Sequence, residues 1–107
     1  MNKSISESTS DLLYTEEVVH FLRSLLDDVT VFVAWQIAYA NKNNEGLVKS
    51  RLPHYQSKRR SYDDALTALY AQGHIRYDGN ATMKPIYLTD RGLQLLNVLK
   101  KERENAE

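Results

Sequence analysis

The most informative absences in this 107-residue sequence are those of cysteine and of any long hydrophobic run. Without cysteine the chain has no disulfide, no thiolate metal ligand and no cysteine nucleophile, and it suits a reducing compartment. Its longest apolar stretch is far shorter than the ~20 residues that cross a bilayer, and residues 1–10 contain no signal-peptide core. The composition therefore predicts a cytoplasmic protein with one hydrophobic core and no membrane association.

The chain also lacks a charge excess, because fourteen basic side chains balance fourteen acidic ones. A neutral total argues against nucleic-acid binding, which usually accompanies a positive excess. The charges are unevenly distributed, however. Residues 1–45 carry three basic and seven acidic side chains, whereas residues 46–62 carry five basic side chains and no acidic one. This window predicts a local positive field, and the alternative is an ordinary solvated helix face.

Apolar spacing predicts two helices in the first forty residues. Residues 11–26 carry apolar side chains mostly at helical spacing, with Ser10 or Thr15 as the N-cap. Residues 29–40 are apolar nearly all round, which predicts a buried helix capped by Asp28. Such a helix must pack against other elements on several sides, and we expect a second subunit to supply part of this packing. Residues 1–10 are predicted to form a flexible N-terminal arm.

A short segment and a longer helix are predicted in the middle of the chain. Residues 46–56 favour a short helix or turn interrupted by Pro53. Ser57 is expected to cap a helix over residues 58–72, whose apolar side chains form one stripe. Gly73 is expected to end this helix at the C′ position.

The periodicity changes after Gly73. Residues 74–77 and 83–88 are predicted strands joined through a turn at Asp78 and Gly79, and Pro85 is tolerable on an edge strand. Thr89 is expected to cap a final helix over about residues 89–104. The predicted fold class is therefore mainly α with a small β-hairpin (α+β).

The order of these elements in residues 44–99 resembles the winged helix-turn-helix family. In that family a recognition helix ends L-x-x-L-x-x-x-G-x-I, a wing follows, and Y-x-L-T-x-x-G begins the next helix. The matching residues are Leu66, Leu69, Gly73, Ile75, Tyr87, Leu88, Thr89 and Gly92. Tyr87 departs slightly from the pattern because it directly precedes Leu88. The resemblance implies one winged-helix domain over residues 11–107 with extra N-terminal helices, a recognition helix at about 58–72, a wing at about 74–88 and a C-terminal helix at about 89–104.

The basic window coincides with the start of the implied recognition helix. Such a helix enters the major groove, ~12 Å wide, by its N-terminal turns, where the helix dipole favours phosphates and arginine can contact guanine. The candidate contacts on and before the helix are Lys49, Arg51, Ser57, Lys58, Arg59, Arg60 and Ser61. The candidate contacts on the wing are Arg76, Asn80, Thr82 and Lys84.

Two acids make a second interpretation of this helix possible. Asp63 and Asp64 follow Arg59 and Arg60 by four residues, which is the spacing of intrahelical ion pairs. In that interpretation the arginines lie on a solvated surface, and each ion pair contributes a few tenths of a kcal/mol to stability. If the helix does bind DNA, the acids repel phosphates from its middle, so that only its N-terminal tip enters the groove.

The sequence offers little support for catalysis. His20, His54 and His74 fall on three separate elements, and no metal-binding, phosphate-loop or nucleophile-elbow motif is present. His74, beside the glycine that ends a helix, is expected to be packed or capping. We therefore expect neither an enzyme nor a bound cofactor or metal.

Among winged-helix proteins, the chain looks most like the small TubR-type centromere-binding adaptors of plasmid and phage segregation systems. This resemblance rests on the segment SKRRSYDDALTALYAQGHI, the wing length, the preceding apolar helix and the size of the chain. It implies a homodimer that binds repeated double-stranded DNA sites, contacts a tubulin-like GTPase filament and represses its own operon. The alternatives are a MarR- or PadR-like transcriptional repressor and a winged helix used only for protein–protein contact.

Overall fold

A computed structural model describes residues 12–79 and 84–106, and this part of the chain is mainly helical with one small antiparallel sheet. Its elements are α1 (Glu16–Ser24), α2 (Asp28–Lys42), a 3₁₀ turn (Lys49–Arg51), α3 (Tyr55–Ala71), β1 (Ile75–Tyr77), β2 (Ile86–Leu88) and α4 (Asp90–Ala106). The predicted α+β class with a hairpin is confirmed. The predicted arm over residues 1–10 lies outside the described residues.

Helix α1 is shorter than its apolar pattern predicts. The hydroxyl of Thr15 accepts a hydrogen bond from the backbone N–H of Val18 at 3.2 Å, so Thr15 is the N-cap. Residues 12–15 are not helical, because the backbone of Tyr14 is paired with the side-chain amide of Gln94 on α4 through contacts of 3.0 and 2.8 Å. A tertiary contact therefore shortens the predicted helix at its N-terminus.

Asp27, rather than the predicted Asp28, caps α2. Asp27 has an extended backbone, and its Oδ1 accepts from the backbone N–H of Thr30 at 2.9 Å and from the Thr30 hydroxyl at 2.7 Å. These hydrogen bonds hold the pKa of Asp27 below its ordinary value. Asp28 already lies in the first turn of the helix, which is why it does not serve as the cap.

The prediction that Ser57 caps the third helix is wrong. Helix α3 begins earlier, at Tyr55, after His54 in the left-handed conformation (φ 57°). The Ser57 hydroxyl donates to the His54 carbonyl oxygen at 3.1 Å and caps no backbone N–H. The buried Tyr55 side chain anchors this first turn in the core, and the helix then kinks at Lys58 (φ −114°, ψ 20°).

Gly73 ends α3 as predicted. Its φ of +82° is a left-handed conformation that favours glycine. The N–H of His74 donates to the carbonyl of Leu69 at 2.9 Å, and the N–H of Gly73 donates to that of Tyr70 at 3.0 Å. This pair of bonds is a Schellman motif, and it turns the chain directly into β1.

The hairpin is short and is extended by one further backbone contact. β1 and β2 are antiparallel, with Ile75 opposite Leu88 and Tyr77 opposite Ile86. Leu47 forms an isolated antiparallel bridge with Ile86, which ties the segment before the 3₁₀ turn to the sheet. β2 is shorter than the predicted strand over 83–88, of which Met83 lies outside the described residues.

The core lies where α2 and α3 pack together and where the hairpin and α4 close over them. Among its most deeply buried side chains are Val33, Ile37, Leu69, Ile86 and Leu95. α1 lies outside this cluster against α4, where Arg23 forms an ion pair with Glu102 at 2.9 Å. No helix within the described ranges is both long and apolar enough to cross a membrane.

Candidate nucleic-acid interface

The candidate residues of α3 form one exposed polar segment at the N-terminal end of that helix. They are Ser57, Lys58, Arg59, Arg60 and Ser61, and all of them are exposed. Tyr55 and Tyr62, which bracket this segment, are buried in the core. The Tyr62 hydroxyl donates to the Pro53 carbonyl at 2.7 Å, which ties the body of α3 to the turn before it. Buried tyrosines on either side thus hold the basic segment at the surface.

Arg59 and Arg60 do not form the predicted ion pairs with Asp63 and Asp64. The ion pairs found within residues 12–79 and 84–106 join other side chains. The Arg59 guanidinium carbon lies 6.0 Å from the centre of the Tyr55 ring, at the outer limit of a cation–π contact. Both guanidinium groups therefore remain available to an anionic ligand.

Asp63 pairs instead with Lys49, across the gap between the 3₁₀ turn and α3. Lys49 Nζ lies 3.1 Å from Asp63 Oδ1, and both side chains are partly buried. This hydrogen bond raises the pKa of Lys49 above its ordinary value. The pair neutralises one acid of α3 and occupies one predicted DNA-contacting lysine, whereas Arg51 at the end of the 3₁₀ turn is exposed.

We expect Asp63→Asn to lower the free energy of unfolding by about 0.5–1 kcal/mol, as is usual for a partly exposed ion pair. Urea denaturation at neutral pH and low salt is the appropriate measurement. Asp64→Asn is the matched control, because Asp64 is an exposed neighbour that makes no ion pair within the described residues. Equal losses in the two variants would contradict a specific role for the Lys49–Asp63 pair.

Strand β1 packs against the C-terminal part of α3. Tyr77 of β1 contacts Tyr70 of α3 with ring centres 5.7 Å apart, and Tyr70 is about 16 Å along the helix from Arg59. Partial burial raises the pKa of Tyr77, and 40% of this residue remains exposed. Arg76, the β1 neighbour of Tyr77, contacts the hairpin residues Tyr87 and Asp78, and none of its contacts among the described residues is with the basic segment of α3.

Two cations of the hairpin are described, and both are exposed. The Arg76 guanidinium lies over the Tyr87 ring at 4.7 Å and 3.8 Å from an oxygen of Asp78. Lys84 precedes β2. Asn80 and Thr82, the other predicted wing contacts, lie outside the described residues.

The expected packed role of His74 agrees with its position. The side chain is fully buried, and its Nε2 lies 2.9 Å from Gln72 Oε1. No cluster of three or more potential metal-ligating side chains occurs in the part of the chain that the structure describes.

An exposed apolar face on α1 was not predicted as a functional feature. The periodicity predicts an apolar stripe there, but Phe21 and Leu25 of that stripe are largely exposed to solvent. Periodicity identifies an apolar face without saying whether another part of the same chain covers it. Comparison of the chain with protein-family models, with curated proteins and with solved structures found no match.

Proposed function

We propose that this protein binds double-stranded DNA sequence-specifically, with the N-terminal half of α3 placed in the major groove. The observation that carries the proposal is the exposed cationic segment at Lys58, Arg59 and Arg60, whose two arginines are free of the ion pairs that their spacing with Asp63 and Asp64 permits. Arginine is the side chain best suited to bidentate contact with guanine, and lysine suits phosphate.

The acids of α3 are compatible with such a contact. Asp63 is paired with Lys49, so its repulsion of a nearby phosphate is largely offset. Asp64 lies one turn beyond Arg60, which leaves the first turns of α3 without an unpaired carboxylate on this helix. We therefore propose that α3 enters the groove by its tip and that its middle stays outside.

In this proposal the hairpin acts as the wing of a winged helix-turn-helix. Arg76 and Lys84 would contact the DNA backbone beside the groove that α3 occupies. The short antiparallel pair, directly after a helix ended by Gly73 and directly before α4, supports this assignment. Because β1 packs against Tyr70 in the C-terminal part of α3, the wing and the helix tip would meet different parts of the duplex.

The sequence resemblance supports a more specific role within DNA binding. We propose a homodimer that binds repeated sites as a centromere-binding adaptor in plasmid or phage segregation, contacts a tubulin-like GTPase and represses its own operon. A MarR- or PadR-like repressor is the alternative within the same class. A neighbouring gene for a tubulin-like GTPase beside direct repeats would favour segregation, and an efflux or metabolic gene would favour regulation.

Fluorescence anisotropy of labelled duplex, titrated at several salt concentrations, tests DNA binding itself. We expect the logarithm of affinity to fall steeply with the logarithm of salt concentration, by about 0.9 per phosphate neutralised. Arg59→Ala is expected to weaken binding by about tenfold or more and, if Arg59 contacts a phosphate, to reduce that slope by about one. Equal binding by the arginine variant would overturn the assignment of α3.

Asp64→Asn is the appropriate control for that experiment. It removes an acid near the basic segment without releasing Lys49, so binding is expected to stay equal or to tighten slightly. Asp63→Asn is unsuitable because it also frees the Lys49 ammonium. An absent or flat salt response in the wild-type protein would favour the second candidate, a protein–protein interaction module, which the exposed apolar face of α1 also suits.

A further inference from the structure

Helix α1 turns most of its apolar side to solvent. Val19 is its only buried side chain, whereas Val18, Phe21 and Leu25, the residue that caps the helix, are 39%, 63% and 61% exposed. Their spacings of three and four residues place these side chains in one stripe along the helix. Such a stripe on a short surface helix is unfavourable in water unless another surface covers it.

This stripe continues onto the start of α2. Val29 and Phe32 are 38% and 39% exposed, and Leu25 and Val29 both line a shallow groove between α2 and α3. A neighbouring groove of about 380 Å³ shares Val29 and is also lined by Phe32, Pro53 and Tyr62. We call Val18, Phe21, Leu25, Val29 and Phe32, together with this second groove, the α1–α2 apolar surface.

The size of the α1–α2 apolar surface suits a protein interface. With about 200 Å² for a whole phenylalanine and proportionately less for leucine and valine, the exposed fractions of its five side chains amount to roughly 400 Å². Patches of this size on a monomer commonly mark interaction sites. They match the apolar part of a standard interface, which buries ~800 Å² on each partner.

The N-terminal residues of the same chain offer little to cover this surface. Residues 1–11 contain Met1 and Ile5 as their only large apolar side chains, among polar and charged ones. A second copy, in contrast, carries an identical apolar surface. A self-complementary contact needs a projecting part and a concave part on the same surface. Here Phe21 projects from α1, and the groove at Val29 and Phe32 is concave.

We propose that the α1–α2 apolar surface is the contact between two copies of this chain, related by a two-fold axis. In this arrangement Phe21 of each protomer packs against the partner's groove. The groove is also lined by Asp28 and, on its α3 side, by Lys58 and Ser61 of the segment proposed to contact DNA. The partner's Phe21 therefore contacts the side formed by Val29 and Phe32, which leaves Lys58 and Ser61 to the DNA. The proposal rests on the homodimer of the proposed function and names the surface through which the two copies meet. It does not depend on DNA binding and can be tested without DNA.

Sedimentation velocity and light scattering without DNA test the proposal. The wild-type protein is expected at twice the 12.4 kDa of one chain. Phe21→Glu is expected to raise the dimer dissociation constant by at least about tenfold, as removal of a central apolar contact does. The thermal unfolding midpoint of this variant, extrapolated to low protein concentration, should match that of the wild type, because Phe21 is mostly exposed within one chain.

Tyr70→Glu is the matched control, since Tyr70 is 59% exposed but lies on α3 outside the α1–α2 apolar surface. It should remain dimeric, as should Arg59→Ala, whose failure to bind DNA would concern the proposed function alone. Leu25→Glu provides a second variant in case Phe21→Glu does not fold. A monomeric wild type, or dimers unaffected by either Phe21→Glu or Leu25→Glu, would overturn the proposed interface.

Discussion

We expect Gly92→Ala to lower the free energy of unfolding by about 3 kcal/mol or more, enough to remove much of the stability of a chain this size. Gly92 is buried in the first turn of α4, against the start of the hairpin. A Cβ there would overlap the carbonyl oxygen of His74 and would lie 3.0 Å from a methyl group of Leu88. The His74 carbonyl also accepts from the N–H of Thr89 at 3.0 Å, so this backbone cannot easily move away.

The sign of the stability change in Gly92→Ala distinguishes the effect of tertiary packing from that of helix propensity. In an isolated helix, alanine is more favourable than glycine by about 1 kcal/mol, so propensity alone predicts stabilisation. Asn97→Ala, at an exposed position of α4, is the control and should leave stability unchanged or raise it by up to about 0.7 kcal/mol, as helix propensity alone predicts. Chemical denaturation of both variants measures the difference. Unchanged or raised stability in Gly92→Ala would contradict the close approach of α4 to the hairpin.

We expect His74 to make the protein less stable as the pH falls below about 6.5. The ring is fully buried, and burial lowers the pKa of His74 below its ordinary value, helped by the nearby Arg91. Nε2 lies 2.9 Å from Gln72 Oε1, whereas Nδ1 lies 3.3 Å from the Arg91 carbonyl oxygen. The shorter contact fits a neutral ring that donates from Nε2 to Gln72.

The direction of the pH effect follows from proton binding. Below pH 6.5, the ordinary pKa of histidine, the unfolded chain takes up a proton that the folded protein excludes. The contribution of His74 to the free energy of unfolding is therefore fully present above pH 6.5. Below that pH the free energy of unfolding falls by up to about 1.4 kcal/mol per pH unit, until the pH reaches the lowered pKa of His74 in the folded protein. Urea denaturation from neutral pH down to about pH 5 covers this window.

His74→Gln should lose this part of the pH dependence because glutamine does not titrate. It should also be about 2 kcal/mol less stable than the wild type at neutral pH, since the packing and hydrogen bonding of the buried ring change. A wild-type stability that is level across the window, or a slope that persists in His74→Gln, would show that His74 is not the responsible group.

Local signals account for the parts of the fold that were predicted correctly. Thr15 caps α1, and Thr89 accepts from the N–H of Gly92 at 3.0 Å to begin α4. Gly73 adopts the left-handed conformation that ends α3. Each depends on residues within a few positions along the chain, which is why a short sequence pattern is sufficient to identify it.

The errors arise where distant residues compete with local ones. Ser57 is a good N-cap by residue type, but burial of Tyr55 extends α3 past it. Asp63 has the right spacing for Arg59, yet Lys49 reaches it from the preceding 3₁₀ turn. Neither competitor can be found from spacing within the helix, because both depend on how separate segments pack.

The sequence by itself determined the α+β class, the order of helices and hairpin, and the acid-free window at residues 46–62, because periodicity, caps and charge are local properties. Only the tertiary structure decided which of those charges remain unpaired, since that depends on the meeting of the 3₁₀ turn with α3. It likewise decided that the apolar stripe of α1 faces solvent, because burial depends on whether another element lies over a face.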